Sequence, residues 1–268
     1  MKLTDICPDT PRAPHFIVTI YGDVVEPRGG TLWMGTLIET CARHGISESL
    51  VRTAVSRLVS AGRLEGVRVG RRSYYRLSER AKAEFRQASR ILFDPPAAPK
   101  GWRVALLGAG AEDLQAPWVR LGSGAALAPA RDDLSLKGGV ILHADQSQGD
   151  FPTLAAQLWP LSEVAGSYRA VLSRYSALDD AACAGPDALA LRLRLVDDYR
   201  RAALTDPRLP FDALPSDWPA PRARALFVRL YHALSSAADQ QVAVHFETQD
   251  GPLLRETDAT QRRLASLA

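Results

Sequence analysis

A helical segment followed at once by a short basic hairpin, in residues 46–77, limits the possible folds of this chain more than any other feature. Its apolar side chains recur at a spacing of about 3.6 residues, which predicts an amphipathic helix over residues 47–61. Ser47 can cap the start of this helix, and Gly62 can end it. The following residues alternate in polarity on both sides of a turn at 70–73, as antiparallel strands do. The segment therefore predicts a helix with a β-hairpin at its carboxyl end.

The alternation in the hairpin predicts which of its side chains face the core. Val67, Val69 and Tyr75 fall on the inward side, whereas Arg68 and Tyr74 fall on the outward side. We therefore expect Tyr75 to be buried. Tyr74 either contacts backbone phosphate or belongs to an ordinary hairpin surface.

The helix face opposite the apolar stripe carries short hydroxyl groups and guanidinium groups. These groups reach base edges and phosphates when a helix enters the major groove of DNA. Arginines along the hairpin and at its tip are placed to hold the flanking backbone or the minor groove. The residues predicted to contact DNA are Ser47, Ser49, Arg52, Thr53, Ser56, Arg57, Arg68, Arg71, Arg72 and Tyr74.

The positive charge of the chain is concentrated around this segment. Residues 43–90 contain twelve Lys and Arg against four Glu, an excess of eight, whereas the whole chain has a net charge of +3. A solvated arginine-rich surface is the simpler explanation of such a cluster. Here the cluster coincides with the helix and hairpin, which favours neutralisation of DNA phosphates by one region.

Two further helices are predicted upstream of this segment. Apolar residues in 16–25 indicate the first helix, and those in 32–41 indicate the second. A short turn at 43–45 with a glycine separates the second helix from the helix at 47–61, which is the spacing of a helix-turn-helix. Residues 13–93 are therefore predicted to form a winged helix-turn-helix domain.

The rest of the chain indicates further domains in an α+β protein. The stretch 94–100, rich in Pro and Ala, has no core pattern and predicts a linker. Strand candidates at 102–107, 125–128 and 140–143, with helix candidates at 111–119 and 151–159, resemble the start of a ferredoxin-like sandwich. From Leu161 the apolar spacing is helical. The predicted domains are a flexible tail at 1–12, a winged helix at 13–93, a linker at 94–100, a ferredoxin-like domain at 101–160, and a mostly helical domain for dimerisation and effector binding at 161–268.

The same residues resemble a known family. The amino-terminal segments FIVTIYGDVVEPRGGTLW, LVRTAVSRLVSAGRL and GRRSYYRLS are similar to the first domain of PaaX-type regulators. A weaker similarity continues in LWPLSEVAGSYRAVLSRY, DDYRRAALTDPRLP, LPSDWP and LYHAL, and the middle of the chain matches poorly. The resemblance implies a repressor of phenylacetate-type catabolism with a middle domain akin to a CRISPR-adaptation nuclease fold. It also implies release from DNA by an aryl-coenzyme A thioester such as phenylacetyl-CoA.

Such an effector needs cations for its phosphates and an apolar slot for its aryl end. The carboxy-terminal part of the chain offers both kinds of side chain. An ordinary helical core with an arginine-rich surface would offer them too. The residues expected to bind the effector are Trp159, Arg192, Arg194, Arg200, Arg201 and Trp218.

Other functions find little support in the sequence. Gly108 and Gly110 follow an apolar strand, but Asp113 replaces the third glycine of a dinucleotide fingerprint, so a simple turn is favoured. A metal-dependent nuclease needs a carboxylate at the end of the first middle strand, and Glu112 and Asp113 lie beyond it. The five histidines lack the spacing of a zinc site. We therefore expect no catalytic set, no resident cofactor and no metal site.

Compartment and assembly are also predicted. No apolar run is long enough to span a bilayer, and the first residues do not resemble a signal peptide. Three widely spaced cysteines suggest a reduced, cytoplasmic protein. We expect a homodimer that binds a pseudo-palindromic operator in double-stranded DNA. The alternatives are a DNA-binding architectural protein without an effector and a winged-helix protein with a nuclease-like middle domain. A thermal shift with coenzyme A esters would test the first alternative, and a metal-dependence assay of nucleic-acid cleavage would test the second.

Overall fold

A computed structural model describes residues 3–108, 114–136, 139–145 and 148–267 of this α+β protein. Its helices, numbered along the chain, are α1 (Leu3–Ile6), α2 (Ala13–Ile20), α3 (Met34–Ala42), α4 (Glu48–Ser60), α5 (Glu79–Phe93), α6 (Phe151–Leu158), α7 (Leu161–Tyr175), α8 (Asp180–Cys183), α9 (Ala188–Thr205), α10 (Ala220–His245) and α11 (Asp258–Ser266). Its strands are β1 (Thr31–Trp33), β2 (Leu64–Val69), β3 (Arg72–Leu77), β4 (Trp102–Leu106), β5 (Val119–Arg120), β6 (Ala125–Pro129), β7 (Val140–Ala144), β8 (Glu247–Thr248) and β9 (Gly251–Pro252). Within these residues, no helix is long and apolar enough to cross a membrane.

The chain folds into two compact units, which differ from the predicted domains. The larger unit joins Met1–Pro95 to Arg169–Leu204 and Pro221–Ala268, and the smaller unit joins Pro96–Tyr168 to Thr205–Ala220. The separate carboxy-terminal domain predicted at 161–268 is therefore wrong. Its helices complete the core of the amino-terminal region, a relation that local periodicity cannot show.

The first residues of the chain were predicted to be a flexible tail, and this prediction is wrong for the part that the structure describes. Leu3, Ile6 and Cys7 are buried. Asp9 accepts hydrogen bonds from Arg194 on α9, with Nη2 and Oδ2 2.9 Å apart. Apolar burial and this ion pair fix the segment against the larger unit.

The amino-terminal helices and a three-stranded sheet form one side of the larger unit. The helix predicted at 16–25 is present as α2, which continues in a π-helical turn at Tyr21–Val25 and a 3₁₀ turn at Glu26–Arg28. Leu32 and Trp33, predicted in the next helix, instead form β1. The sheet has the order β1-β3-β2, with both pairs antiparallel.

Helix α9 is the core of the larger unit. Its Leu189, Leu191, Leu193 and Leu195 are all buried, as is nearly every residue from Ala188 to Tyr199. Leucines at every second position advance by about 200° around a helix, so they place apolar groups on two opposite sides, and Ala188, Ala190 and Val196 add further apolar groups. A helix that is apolar on all sides is buried, and the arginines between its leucines are buried with it.

The smaller unit contains a four-stranded antiparallel sheet in the order β5-β6-β4-β7. Trp102 of β4 shares a core cluster with Trp159 and Leu209, and Trp159 donates a 2.8 Å hydrogen bond from Nε1 to the carbonyl of Pro117. The helix predicted at 111–119 is wrong over residues 114–119, which form a turn and the start of β5. Residues 109–113, with the glycine turn and the two carboxylates discussed above, lie outside the described residues.

Candidate nucleic-acid interface

Helix α4 presents the predicted polar row. Ser47 caps the helix, since its side chain accepts a hydrogen bond from the N–H of Leu50, and this confirms the predicted start. Four apolar residues of the stripe are buried on the opposite face: Val51, Ala54, Val55 and Leu58. The α4 polar row, exposed throughout, consists of Ser49, Arg52, Thr53, Ser56 and Arg57.

The side chains of this row differ in their hydrogen bonds and ion pairs. Thr53 donates its hydroxyl hydrogen to the carbonyl of Ser49 at 2.9 Å, which orients its methyl and oxygen. Arg52 forms an exposed ion pair with Glu48, with Nη2 and Oε1 2.7 Å apart. Among the described residues, no carboxylate pairs with Arg57. Exposed pairs of this kind are worth at most about 1 kcal/mol, so Arg52 is available to exchange its partner for a phosphate or a base.

The arginines at the end of the hairpin of β2 and β3 are all exposed but differ in their partners. Gly70 has a φ of +60° at the turn, and Arg68 donates from Nε to its carbonyl at 3.2 Å. Arg71 is exposed at the tip, and no carboxylate among the described residues pairs with it. Arg72 is instead attached to the unit: its Nη1 lies 2.6 Å from Oε2 of Glu247, and its guanidinium lies 4.3 Å from the centroid of the Trp33 ring.

The predicted alternation of the hairpin is wrong. Tyr74 is only 6% exposed and cannot present its ring to DNA, whereas Val67 and Val69 are 48% and 50% exposed. Tyr74 pairs in register with Trp33 on β1, which lies against β8, so the carboxy-terminal segment covers this face. Beyond Leu64 the rest of β2 projects away from the core, which leaves both faces of the hairpin end exposed.

A side-chain hydrogen bond also joins the buried Tyr74 to the exposed guanidinium of Arg72. It is the largest cause of the raised pKa of Arg72, followed by the hydrogen bond to Glu247. Tyr74 is therefore a support for Arg72 rather than a contact residue. The sequence offers no local signal for this role, because the covering strand lies more than 170 residues away.

The predicted effector residues are divided between the two units. Trp159 and Trp218 belong to the smaller unit, whereas the four arginines belong to the larger unit. Trp159 is buried, and Trp218 packs on the same core cluster. The tryptophans therefore serve the core of their unit.

Arg192 and Arg194 were predicted to bind phosphates of the effector. This prediction is wrong, because carboxylates of the protein itself already pair with both guanidinium groups. Arg192 is 1% exposed; its Nε lies 3.0 Å from Asp23 and its Nη1 2.7 Å from Asp239. Arg194, also 1% exposed, pairs with Asp9. A buried guanidinium is stable only with such partners.

Arg200 and Arg201 have different surroundings. Arg201 is exposed and pairs with Asp198, with Nη2 and Oδ1 2.6 Å apart. Arg200 is largely buried beside a cleft, and its closest carboxylate, Asp197, is 3.9 Å away. The described residues contain no group of three or more His, Cys, Asp and Glu side chains able to hold a metal ion.

An exposed helical row of hydroxyls and guanidiniums beside an arginine-bearing hairpin is typical of DNA-binding regulatory proteins. The family described as "PaaX-like protein" matches residues 12–81, and the family described as "PaaX-like protein C-terminal domain" matches residues 159–244. The chain belongs to the PaaX-like family, as the sequence resemblance predicts.

Two similar proteins extend over most of the chain. The "Transcriptional repressor PaaX" of Escherichia coli (strain K12) is 29% identical over 270 residues, which cover 88% of this chain and 85% of the relative. The relative is a repressor and not an enzyme. The structure of "Uncharacterized protein Rv0674 from Mycobacterium tuberculosis" is similar, with a TM-score of 0.53, 25% identity, and coverage of 86% of this chain and 98% of that one.

Proposed function

We propose that this chain is a transcriptional repressor that binds an operator in double-stranded DNA through a winged helix-turn-helix formed by residues 13–93. The observation that carries the proposal is the α4 polar row, which is fully exposed and lies beside the hairpin of β2 and β3. A helix of this size fits the major groove, where hydroxyl and guanidinium groups read base edges. The repressor function of the E. coli relative supports the direction of regulation.

The exposed arginines divide into two proposed roles. Arg52 and Arg57 on α4 contact bases or the phosphates beside them. Arg68 and Arg71 on the hairpin hold the flanking backbone, because they are exposed and project beyond the core. Arg72 joins them only if it leaves Glu247. Two copies of the chain would read a pseudo-palindromic operator, since a twofold protein matches a twofold site.

The proposed effector is an aryl-coenzyme A thioester, phenylacetyl-CoA being the first to test, and the proposed target is an aromatic-acid catabolic operon. Membership of the PaaX-like family supports this effector class. The ligand releases DNA only to the extent that it binds the DNA-free form more tightly than the DNA-bound form.

For the smaller unit we propose a relation to ferredoxin-like sandwiches. The order β5-β6-β4-β7 supports it, since a ferredoxin-like sheet places its first and third strands at the centre and its second and fourth at the edges. The described parts of the segments between β4 and β5 and between β6 and β7 contain no crossover helix, so the unit would be a reduced version of that fold.

The experiment is fluorescence anisotropy of the full chain with its own upstream DNA and with a scrambled duplex, each with and without phenylacetyl-CoA. Tight binding to the upstream DNA that the thioester abolishes is the expected result. Binding that the thioester does not change would discard this effector and keep the repressor. Equal weak binding to both duplexes would contradict the proposed operator.

Three variants test the proposed contacts. Arg57→Ala and Arg71→Ala should each reduce the slope of log K against log salt by about 0.9, since each removes one phosphate contact. Arg262→Ala, which removes an exposed arginine from α11, is the control and should leave the slope unchanged. Slopes equal to that of the wild-type protein for both test variants would place the DNA interface elsewhere.

A further inference from the structure

A cleft in the larger unit has about 220 Å³ of free volume and lies among α2, α5 and α9. Its walls are mostly apolar, and they include Val18 on α2, Phe85 and Ala88 on α5, and Val196 and Leu204 on α9. An apolar cavity of about 150 Å³ is large enough to hold benzene. The cleft is therefore large enough for an aryl or short acyl group, but too small for a whole nucleotide ligand.

One cation lines this apolar cleft without a close charged partner. Arg200 donates from Nη2 to the carbonyl of His15 at 3.2 Å, and the carboxylate of Asp197 is 3.9 Å away. That carboxylate already accepts a 2.7 Å hydrogen bond from Thr19. The Nε of Arg200 is buried, and no group among the described residues accepts its hydrogen. A buried donor without an acceptor is costly, so this guanidinium is suited to an oxygen supplied from outside.

We propose that this cleft is the effector site of the chain: it encloses a small apolar acyl or aryl group whose carbonyl or carboxylate oxygen accepts hydrogen bonds from Arg200. The remainder of a larger ligand, such as a coenzyme A moiety, lies outside the cleft. This inference rests on the proposed function, because it locates the ligand that releases the operator. In this proposal Arg200, rather than the buried Arg192 and Arg194, provides the cation that contacts the effector.

The walls of the cleft connect directly to the DNA-binding elements. Arg63, which follows α4, forms a 3.2 Å ion pair with Glu84 on α5, and both residues line the cleft. Ser78 joins the same elements: it caps α5, donates its hydroxyl hydrogen to Gly62 at 2.7 Å, and donates its N–H to Arg63 at 3.0 Å.

Ser78 also follows directly on the last residue of β3, so one residue links α5, the end of α4 and the hairpin. A ligand that moves α5 away from α9 therefore changes the position of the hairpin relative to α4. Since both carry proposed DNA contacts, occupancy of the cleft alters the geometry that the operator requires.

The test uses a substitution that fills the cleft. Ala88→Leu places a larger side chain in it and retains a residue with high helix propensity. Ala83→Leu makes the same change at an exposed position of α5 outside the cleft and is the matched control. Arg200→Met removes the cation, and Arg229→Met, at an exposed arginine of α10 outside the cleft, is its control. Calorimetric titration of each full-length protein with phenylacetyl-CoA and with phenylacetate measures binding, and thermal unfolding verifies that each variant is folded.

Three proteins, the wild type, Ala83→Leu and Arg229→Met, should bind the ligand. A loss of affinity of at least about tenfold in Ala88→Leu and Arg200→Met would then support the cleft. Phenylacetate binding would show that the acyl group suffices, and thioester binding alone would show that contacts outside the cleft add affinity. Equal binding to all five proteins overturns the cleft and leaves the effector class standing. Binding of neither ligand to the wild-type protein overturns both, whereas operator binding measured in parallel tests the repressor function separately.

Operator affinity supplies the second measurement. In the wild-type protein and in Ala83→Leu, ligand at a concentration that just saturates the wild-type protein should weaken operator binding by at least about fivefold, the lower end of the usual coupling between two sites. In Ala88→Leu, the ratio of the operator affinity without ligand to the operator affinity with ligand should be close to one. A normal ratio in Ala88→Leu would overturn the proposal even if that variant bound DNA less tightly.

Discussion

Replacing Arg192 by methionine is expected to destabilise the larger unit rather than to remove an effector contact alone. The side chain lies on the central helix α9 and pairs with two buried carboxylates, Asp23 and Asp239. Methionine retains much of the apolar stem and removes the charge. Removal of one partner from a buried ion pair costs about 3–5 kcal/mol, because a carboxylate remains in the core without its charge compensation.

The neighbours of these carboxylates place the expected loss at the lower end of that range. Asp239 keeps Arg28, with Nη2 and Oδ1 2.6 Å apart, and Asp23 keeps the hydroxyl of Tyr231 at 2.8 Å and Arg263 at 3.4 Å. We therefore expect about 3 kcal/mol. Small proteins are stable by only about 5–15 kcal/mol, so the change is large enough to measure without ambiguity.

The assay is urea unfolding of the wild-type protein, Arg192→Met, Asp239→Asn and the double variant. Partial recovery in the double variant, as a coupling of about 0.5–3 kcal/mol, is expected because the uncompensated carboxylate is removed. Arg52→Met, which breaks an exposed pair in the same unit, should cost at most about 1 kcal/mol. An unchanged unfolding midpoint for Arg192→Met, together with lost response to phenylacetyl-CoA, would refute this reasoning and restore Arg192 as an effector residue.

Three further predictions concern single side chains. Glu247→Gln should release Arg72 from its ion pair, strengthen operator binding, and steepen the salt slope by up to about 0.9; an unchanged slope in anisotropy titrations would show that Arg72 makes no phosphate contact. Burial lowers the pKa of His44 to about 3. Between pH 6.5 and pH 5, therefore, this histidine takes up a proton only in the unfolded chain. The free energy of unfolding should fall by about 2 kcal/mol as the pH decreases over this range. Urea unfolding at both pH values should give a smaller fall for His44→Gln than for the exposed control His232→Gln, and an equal fall in the two variants would contradict the assignment. Ser47→Ala should lower the stability of the DNA-free protein by about 1 kcal/mol through loss of the α4 cap, and a loss no larger than that of an alanine substitution at an exposed serine within α4 would argue against capping.

Local features of the sequence were sufficient where the determining interactions are local. The apolar stripe and the Ser47 cap predicted α4 to within a residue at each end. A cap and a helical stripe depend on residues three or four positions apart, so the sequence contains the whole signal. The exposed face of α4, and with it most of the candidate DNA interface, could therefore be derived before the fold was known.

The remaining features depended on segments that meet only in the folded chain. Tyr74 is buried because β1 and the carboxy-terminal strand β8 cover its face, although alternation along the hairpin places it outside. Arg192 is buried because helices distant in sequence bring Asp23 and Asp239 to it. Periodicity shows which side chains share a face, but not which remote segment covers that face or neutralises its charges. The sequence by itself determined the helix and hairpin proposed to meet DNA, whereas the tertiary structure decided which arginines remain exposed and where a cleft opens beside Arg200.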